Sequence, residues 1–232
     1  MFAALAWRPT EAQRMLASLA HTRAQLRAAL FGLADEQLDQ QPAPGEWSVR
    51  EALRHIINNE QRFALDAVYA VERLSGNGSR PVERPAEERG PGTLGAELPG
   101  NLGEVMQTLD SVREQVITAT VDLDEPGLAA ATTWGNREVT VGFMVFRRAM
   151  HERQHLVQIQ KTLQQIGFRQ GEALLLLGQA AIARGTLEGA LIGVPDNLLD
   201  RTPDGRPSVR ELLEEAMAQE QASLASVLKA AA

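Results

Sequence analysis

The sequence predicts an all-α chain: a four-helix bundle with a long crossover, followed by a C-terminal two-helix hairpin that repeats the bundle's first helix pair. Three observations predict it. Four segments carry apolar residues at mixed spacings of three and four, a glycine- and proline-rich stretch separates the second from the third, and the C-terminal segment echoes the N-terminal one.

The first helix is expected over residues 10–33, where Met15, Leu16, Leu19, Leu26, Leu30 and Phe31 keep helical spacing free of Pro and Gly until Gly32. After the proline-punctuated DEQLDQQPAPGEW, Ser48 and Glu51 form a capping box, so a second helix starts there and runs to about Leu74. Residues 75–100 hold six glycines and four prolines, the composition of an irregular crossover between helices that are not simple antiparallel neighbours. A third helix is expected over 101–120. A loop follows around Trp134-Gly135-Asn136, with Val139 to Val141 able to extend locally but no sheet expected, and a fourth helix runs from Thr140 to about Ile166.

Residues 29–42 match residues 190–203 at seven of fourteen positions, and 45–53 match 205–213 at six of nine. A second capping box, Ser208 with Glu211, falls where the repeat requires it, and Glu220-Gln221 continues the match to Glu60-Gln61. The expected division is therefore a bundle over 1–170 and a half-repeat hairpin over 171–232. Two helices leave an apolar stripe uncovered, so the hairpin must either dock on its own bundle or pair with a second chain in a homodimer.

Composition narrows the function. With 44% hydrophobic and 23% charged residues the chain reads as globular, and no apolar run approaches the roughly 18 residues of a membrane span. The N-terminus lacks the basic-then-apolar order of a secretory signal, which makes the cytoplasm the expected compartment. A net charge of −7 and the lack of a basic run with interleaved aromatics argue against nucleic acid as a partner. Without cysteine, any metal must be held by imidazole or carboxylate, and any sulfur nucleophile must come from outside.

The four histidines are His21, His55, His151 and His155. His151 and His155 lie about 40° apart on one helical face, the spacing that lets two imidazoles share a metal. Taken by itself, His55 in the second helix reads more readily as a hydrogen-bonded core residue than as a ligand, yet with the pair it completes three nitrogens and an open position, the count of a catalytic metal site. Its counterpart in the repeat is Glu215, so packing alone does not demand the imidazole. His21 has no partner within helical reach and reads as structural.

The run His151-Glu152-Arg153-Gln154-His155 also matches the zinc peptidase motif HExxH, in which Glu152 would be the base. A peptidase needs a third ligand downstream, and no histidine follows His155. Glu152, about 100° from His151 and 60° from His155 on the wheel, is then expected as a solvated carboxylate or one that supports a ligand from behind, with proton acceptance from metal-bound water as its candidate catalytic role. Asn59, one turn beyond His55, and Arg148, about one turn before His151, are candidates for substrate contacts. Their plainer readings are a helix-core hydrogen bonder and a surface cation. Trp47, directly before the Ser48 cap, reads as a staple of the helix start.

The stretch PAPGEWSVREALRH resembles the second-helix signature of the DinB/YfiT-like family of small bacterial metalloproteins, and HERQHLVQIQKTLQQIG resembles its fourth helix. The resemblance covers residues 10–168. It implies an up-down bundle in which His55, His151 and His155 hold a divalent transition metal such as zinc, nickel, iron or manganese. It also implies action on a small-molecule substrate: members assigned an activity include S-transferases and isomerases that use a low-molecular-weight thiol, and others are assigned as metal-dependent hydrolases. Family members are often dimers. The rival expectation is a non-catalytic dimeric metal-binding or regulatory protein.

Overall fold

A computed structural model describes residues 7–76, 79–85, 88, 98–202 and 205–231, with side chains as far as 223. Residues 1–6, 77–78, 86–87, 89–97, 203–204 and 232 lie outside the described residues. The bundle helices are α1 (Glu11–Leu30), α3 (Val49–Ser75), α4 (Leu102–Thr120) and α6 (Val141–Gln165). Between them fall the short α2 (Asp35–Leu38) and α5 (Glu125–Ala129), and after them α7 (Glu172–Leu191), α8 (Asp196–Leu199) and α9 (Val209–Ala231). Among the described residues no helix is long and apolar enough to cross a membrane.

Local chemistry sets the helix starts. Thr10, Ser48, Asn101 and Thr140 each accept a hydrogen bond from the backbone N–H three residues on, and Gln13, Glu51 and Glu104 reach back to close capping boxes on the first three. Ahead of α6, β1 (Ala131–Trp134) and β2 (Arg137–Thr140) pair antiparallel around Gly135, which adopts a φ of 62°. This corrects the expectation that no sheet forms: β-branched and aromatic residues on both sides of a glycine turn pair into a hairpin that feeds directly into the fourth helix.

The core has two apolar layers with a charged layer between them. Leu26, Ile56, Ile57, Leu109, Leu156 and Ile159 belong to one cluster, while Leu16, Leu19, Phe63, Val116, Val145 and Ala149 belong to the other. On every bundle helix one charged residue stands at the changeover: Arg23 on α1, Glu60 on α3, Arg113 on α4 and Glu152 on α6. Arg23 Nε donates to Glu152 at 2.7 Å and its Nη2 to Glu60 at 3.1 Å, while Arg113 bonds both carboxylates. The remaining guanidinium donors take the carbonyls of Leu109 and Leu19, at 2.8 Å and 2.7 Å. The layer is thus electrically neutral and its donors are spent on carbonyls or carboxylates, the condition under which ions tolerate burial. Burial raises the proton affinity of Glu60, but the two arginines outweigh it and hold the carboxyl below its ordinary range.

By contacts the chain divides into Thr10–Ile192 and a smaller unit containing α8 and α9. Within the larger unit α7 lies along α1. Gly178, Gly185 and Gly189 make this close approach possible: a Cβ added at Gly185 would lie 2.3 Å from the Ala24 Cβ, and one at Gly189 2.9 Å from the Ala17 carbonyl oxygen. His21 takes part in this contact, with Nδ1 3.1 Å from Thr186 Oγ1. In the smaller unit, Gly193 has a φ of 74°, Ser208 and Glu211 form a capping box, and Arg210 Nε donates to Asp200 at 2.6 Å. The corresponding features of the first helix pair are Gly32 at 79°, Ser48 with Glu51, and Arg50 Nε donating to Asp39 at 2.6 Å.

Candidate metal centre

Two helices bring the site together. The Ser48 cap starts α3 so that His55 falls on the side facing α6, and α6 presents His151 and His155 one turn apart toward it. The three imidazoles offer nitrogens that all lie within 4.8 Å of one another. Nε2 of His151 stands 3.2 Å from Nε2 of His55 and 3.1 Å from Nε2 of His155. All three rings are half-buried, with Trp47 lying across two of them: its ring is stacked near-parallel to His155 at 6.0 Å and tilted to His55 at 5.1 Å.

Proton accounting shows what the cluster is suited to hold. Gln158 Oε1, an acceptor, lies 2.8 Å from His155 Nδ1, which places that ring's proton on Nδ1 and leaves its Nε2 as a bare lone pair. Asn59 Nδ2 donates to the His55 carbonyl at 2.8 Å and faces His55 Nε2 at 3.1 Å, so this nitrogen accepts as well. His151 can offer a proton to only one of its two imidazole neighbours, and Asn59 already donates to the other. With His151 deprotonated at Nε2, the three nitrogens present lone pairs to one point, where a cation would be held by all three. A tetrahedral ion with bonds of about 2.0–2.1 Å holds its nitrogen ligands about 3.3 Å apart, and an octahedral one about 3.0 Å, which brackets the observed spacing. The donor set and its geometry fit a divalent metal.

Electrostatics favours the neutral, ligating form of each ring. Burial, then the charges of Arg148 and the neighbouring histidines, pushes His151 down to about 3. Burial with His155 and Arg148 lowers His55, and burial followed by Arg147 lowers His155 against the bond to Gln158 that raises it.

The other candidate residues are distributed differently from their plain readings. Glu152 is 1% exposed, with Oε1 on Arg23 and Oε2 on Arg113, and its carboxylate is not among the converging ligand atoms. The expectation of a solvated carboxylate is therefore corrected, because the wheel offset that takes it off the histidine face turns it into the bundle core. Arg148 is likewise no surface cation: it is 4% exposed, its Nη1 donates to the Asn59 carbonyl at 3.3 Å, and its guanidinium lies 5.8 Å from the Phe63 ring centroid. Asn59 stands against His55 as described. Sequence reasoning passed over Gln158, although its spacing of three from His155 on a helix was a usable signal, and it read Trp47 only as a staple.

Comparison with known proteins agrees with this picture. A family model described as the DinB superfamily matches residues 18–159. The uncharacterized protein YuaE of Bacillus subtilis (strain 168) is 28% identical over 149 residues, which covers 59% of this chain and 90% of that protein. The structure of YfiT from Bacillus subtilis, described as a probable metal-dependent hydrolase with an unusual four-helix bundle topology, matches with a TM-score of 0.51 at 16% identity. The match covers 70% of this chain and 95% of that one; at such identity it speaks for the fold.

Proposed function

The chain belongs to the DinB superfamily, and from that membership we propose that it is a divalent-metal-dependent hydrolase acting on a small-molecule substrate. The observation that carries the reading is the convergence of three imidazole nitrogens from two helices, with His151 Nε2 3.2 Å from His55 Nε2 and 3.1 Å from His155 Nε2. His55, His151 and His155 would hold the ion, and the donor set suits zinc, nickel, iron or manganese. A bound divalent ion supplies Lewis acidity, which acidifies water or an incoming thiol near neutral pH and polarises a carbonyl or phosphoryl oxygen.

The chain's own residues do the rest. Gln158 holds the His155 tautomer, Asn59 fixes the rim beside His55, and Trp47 shields the rings on one side. Three protein ligands leave a position open, whereas structural zinc sites close with four, which supports catalysis over a purely structural role. A second copy of the chain fits the same reading, since Leu175, Leu176 and Leu177 on α7 remain exposed; light scattering of the full chain beside one lacking residues 172–232 reads this association.

The test is metal stoichiometry followed by turnover. The wild-type protein is expected to take up about one transition metal per chain and the His155→Ala variant to lose it. Zinc- and manganese-loaded protein is then offered activated esters and amides with and without a low-molecular-weight thiol. Turnover without thiol supports the hydrolase; turnover only with thiol moves the assignment to S-transfer. Folded wild-type protein that stays metal-free after supplementation overturns both.

A further inference from the structure

Among the described residues every buried arginine has its carboxylate except one. Arg23 and Arg113 share Glu60 and Glu152, and Arg84 holds Asp66 at 2.7 Å. Arg148 is buried as deeply, yet its one hydrogen bond among the described residues is from Nη1 to the Asn59 carbonyl, and its Nε is buried without a partner. The acidic groups whose charge reaches it, Glu60 and Asp66, are already bound to other arginines. A buried cation without a counter-ion is an expensive arrangement that a fold keeps where something else supplies the negative charge.

Its placement says what that something is. Arg148 precedes His151 by three residues on α6, on the helix face that carries the two histidines, and its Nη1 bonds the carbonyl of Asn59, the residue that touches His55 Nε2. Arg147 beside it has a buried Nη1 without a partner, its Nη2 on Gln154 at 3.1 Å and its guanidinium 5.0 Å from the Trp134 ring centroid. Both guanidinium charges are felt at His151, so the field around the imidazoles is positive before any metal enters. Burial lowers Arg148 only to about 10, which leaves it charged at neutral pH.

We propose that the site takes a carboxylate-bearing substrate, whose carboxylate is bound by Nη2 of Arg148 beside the three histidines. With Nη1 committed to Asn59 and Nε buried, Nη2 is the guanidinium nitrogen left to a ligand, a charged donor of the kind that holds a carboxylate oxygen. The substrate is thereby anionic, and a cationic molecule is rejected by Arg147, Arg148 and the metal together. The proposal deepens the hydrolase reading and rests on it for the reacting end of the molecule; the anion contact itself needs only Arg148.

Calorimetric titration with benzoate and with its neutral isostere benzamide tests it, on zinc-loaded protein and again after chelation. Benzoate is expected to bind more tightly than benzamide in both forms. Arg148→Met is expected to cut benzoate affinity about 10- to 100-fold, to leave benzamide unchanged, and to raise Tm because an unpaired buried charge is gone. A wild type that does not prefer benzoate, a variant that binds benzoate as the wild type does, or a lowered Tm makes Arg148 a structural residue and overturns the proposal. Tighter binding of phenyl phosphate than benzoate overturns the carboxylate assignment. If zinc fails to bind while the benzoate preference survives, the hydrolase reading falls and the anion site stands.

Discussion

Replacing Glu152 by Gln tests whether this carboxylate belongs to the fold or to the chemistry. In the wild type it completes a layer of two arginines and two glutamates, accepting from Arg23 Nε at 2.7 Å and from Arg113. The variant leaves the two buried guanidinium groups with Glu60 as their one buried carboxylate, the half-exposed Asp110 standing 3.7 Å from Arg23 and shared with Arg27, and turns an amide NH₂ toward donors. Removing one partner of a buried ion pair costs about 3–5 kcal/mol. For a chain of this size each kcal/mol moves Tm by roughly 2–4 °C, so a fall of about 6–20 °C is expected. Scanning calorimetry of the zinc-saturated protein measures it. Zinc stoichiometry below the transition should be unchanged. The double variant Glu152→Leu with Arg113→Leu restores neutrality and should lose less stability than Glu152→Gln, although it removes two charged groups. A Glu152→Gln protein as stable as the wild type that has lost metal-dependent turnover would refute this reasoning and return Glu152 to the reaction.

Three further outcomes are expected. Gln158→Leu strips His155 Nδ1 of its acceptor and should weaken zinc binding about 10- to 100-fold in competition with a chromophoric chelator; unchanged affinity would make Gln158 a bystander. All three ligand imidazoles are depressed in the folded state, His151 from 6.5 to about 3, so below pH 6.5 the unfolded chain binds protons that the folded chain refuses. Urea midpoints of the metal-free protein should therefore be flat above that pH and fall between pH 6.5 and 5, before the carboxylates titrate; a flat profile there would contradict the burial of the rings. Gly185→Ala should push α7 off α1, because its Cβ meets Ala24 Cβ at 2.3 Å, and should cost about 1–3 kcal/mol despite the better helix propensity of alanine. Adding Ala24→Gly should recover most of that loss, as chemical denaturation of the pair can show.

The four bundle helices were legible because each announces itself locally. The Ser48–Glu51 box and the Asn101 cap fix where α3 and α4 begin, and the expected 101–120 differs from Leu102–Thr120 by a single residue. The meeting of His55 with His151 and His155 was legible for a different reason, that imidazoles at this helical spacing rarely serve packing alone. What escaped is long-range. Arg23 finds Glu152 at a separation of 129 residues, and nothing periodic in a sequence marks an arginine that will face inward among leucines. Arg148 and Glu152 were read as exposed because charge ordinarily implies water, a rule that fails where other charges take water's place. The β1–β2 hairpin is shorter than the window in which alternation can be read with assurance.

The echo between the two ends of the chain separates two kinds of instruction written into one segment. The second copy keeps the turn glycine at 193, the Asp200–Arg210 clamp and the Ser208 cap, and in the same alignment Arg184 falls opposite Arg23 and Glu220 opposite Glu60. It does not keep the histidine, and Glu215 at that place is exposed. The same glycine turn, arginine–aspartate clamp and serine cap thus stand in both segments, one carrying His55 and the other Glu215, and a ligand could be installed at residue 215 without rewriting the turn, the clamp or the cap.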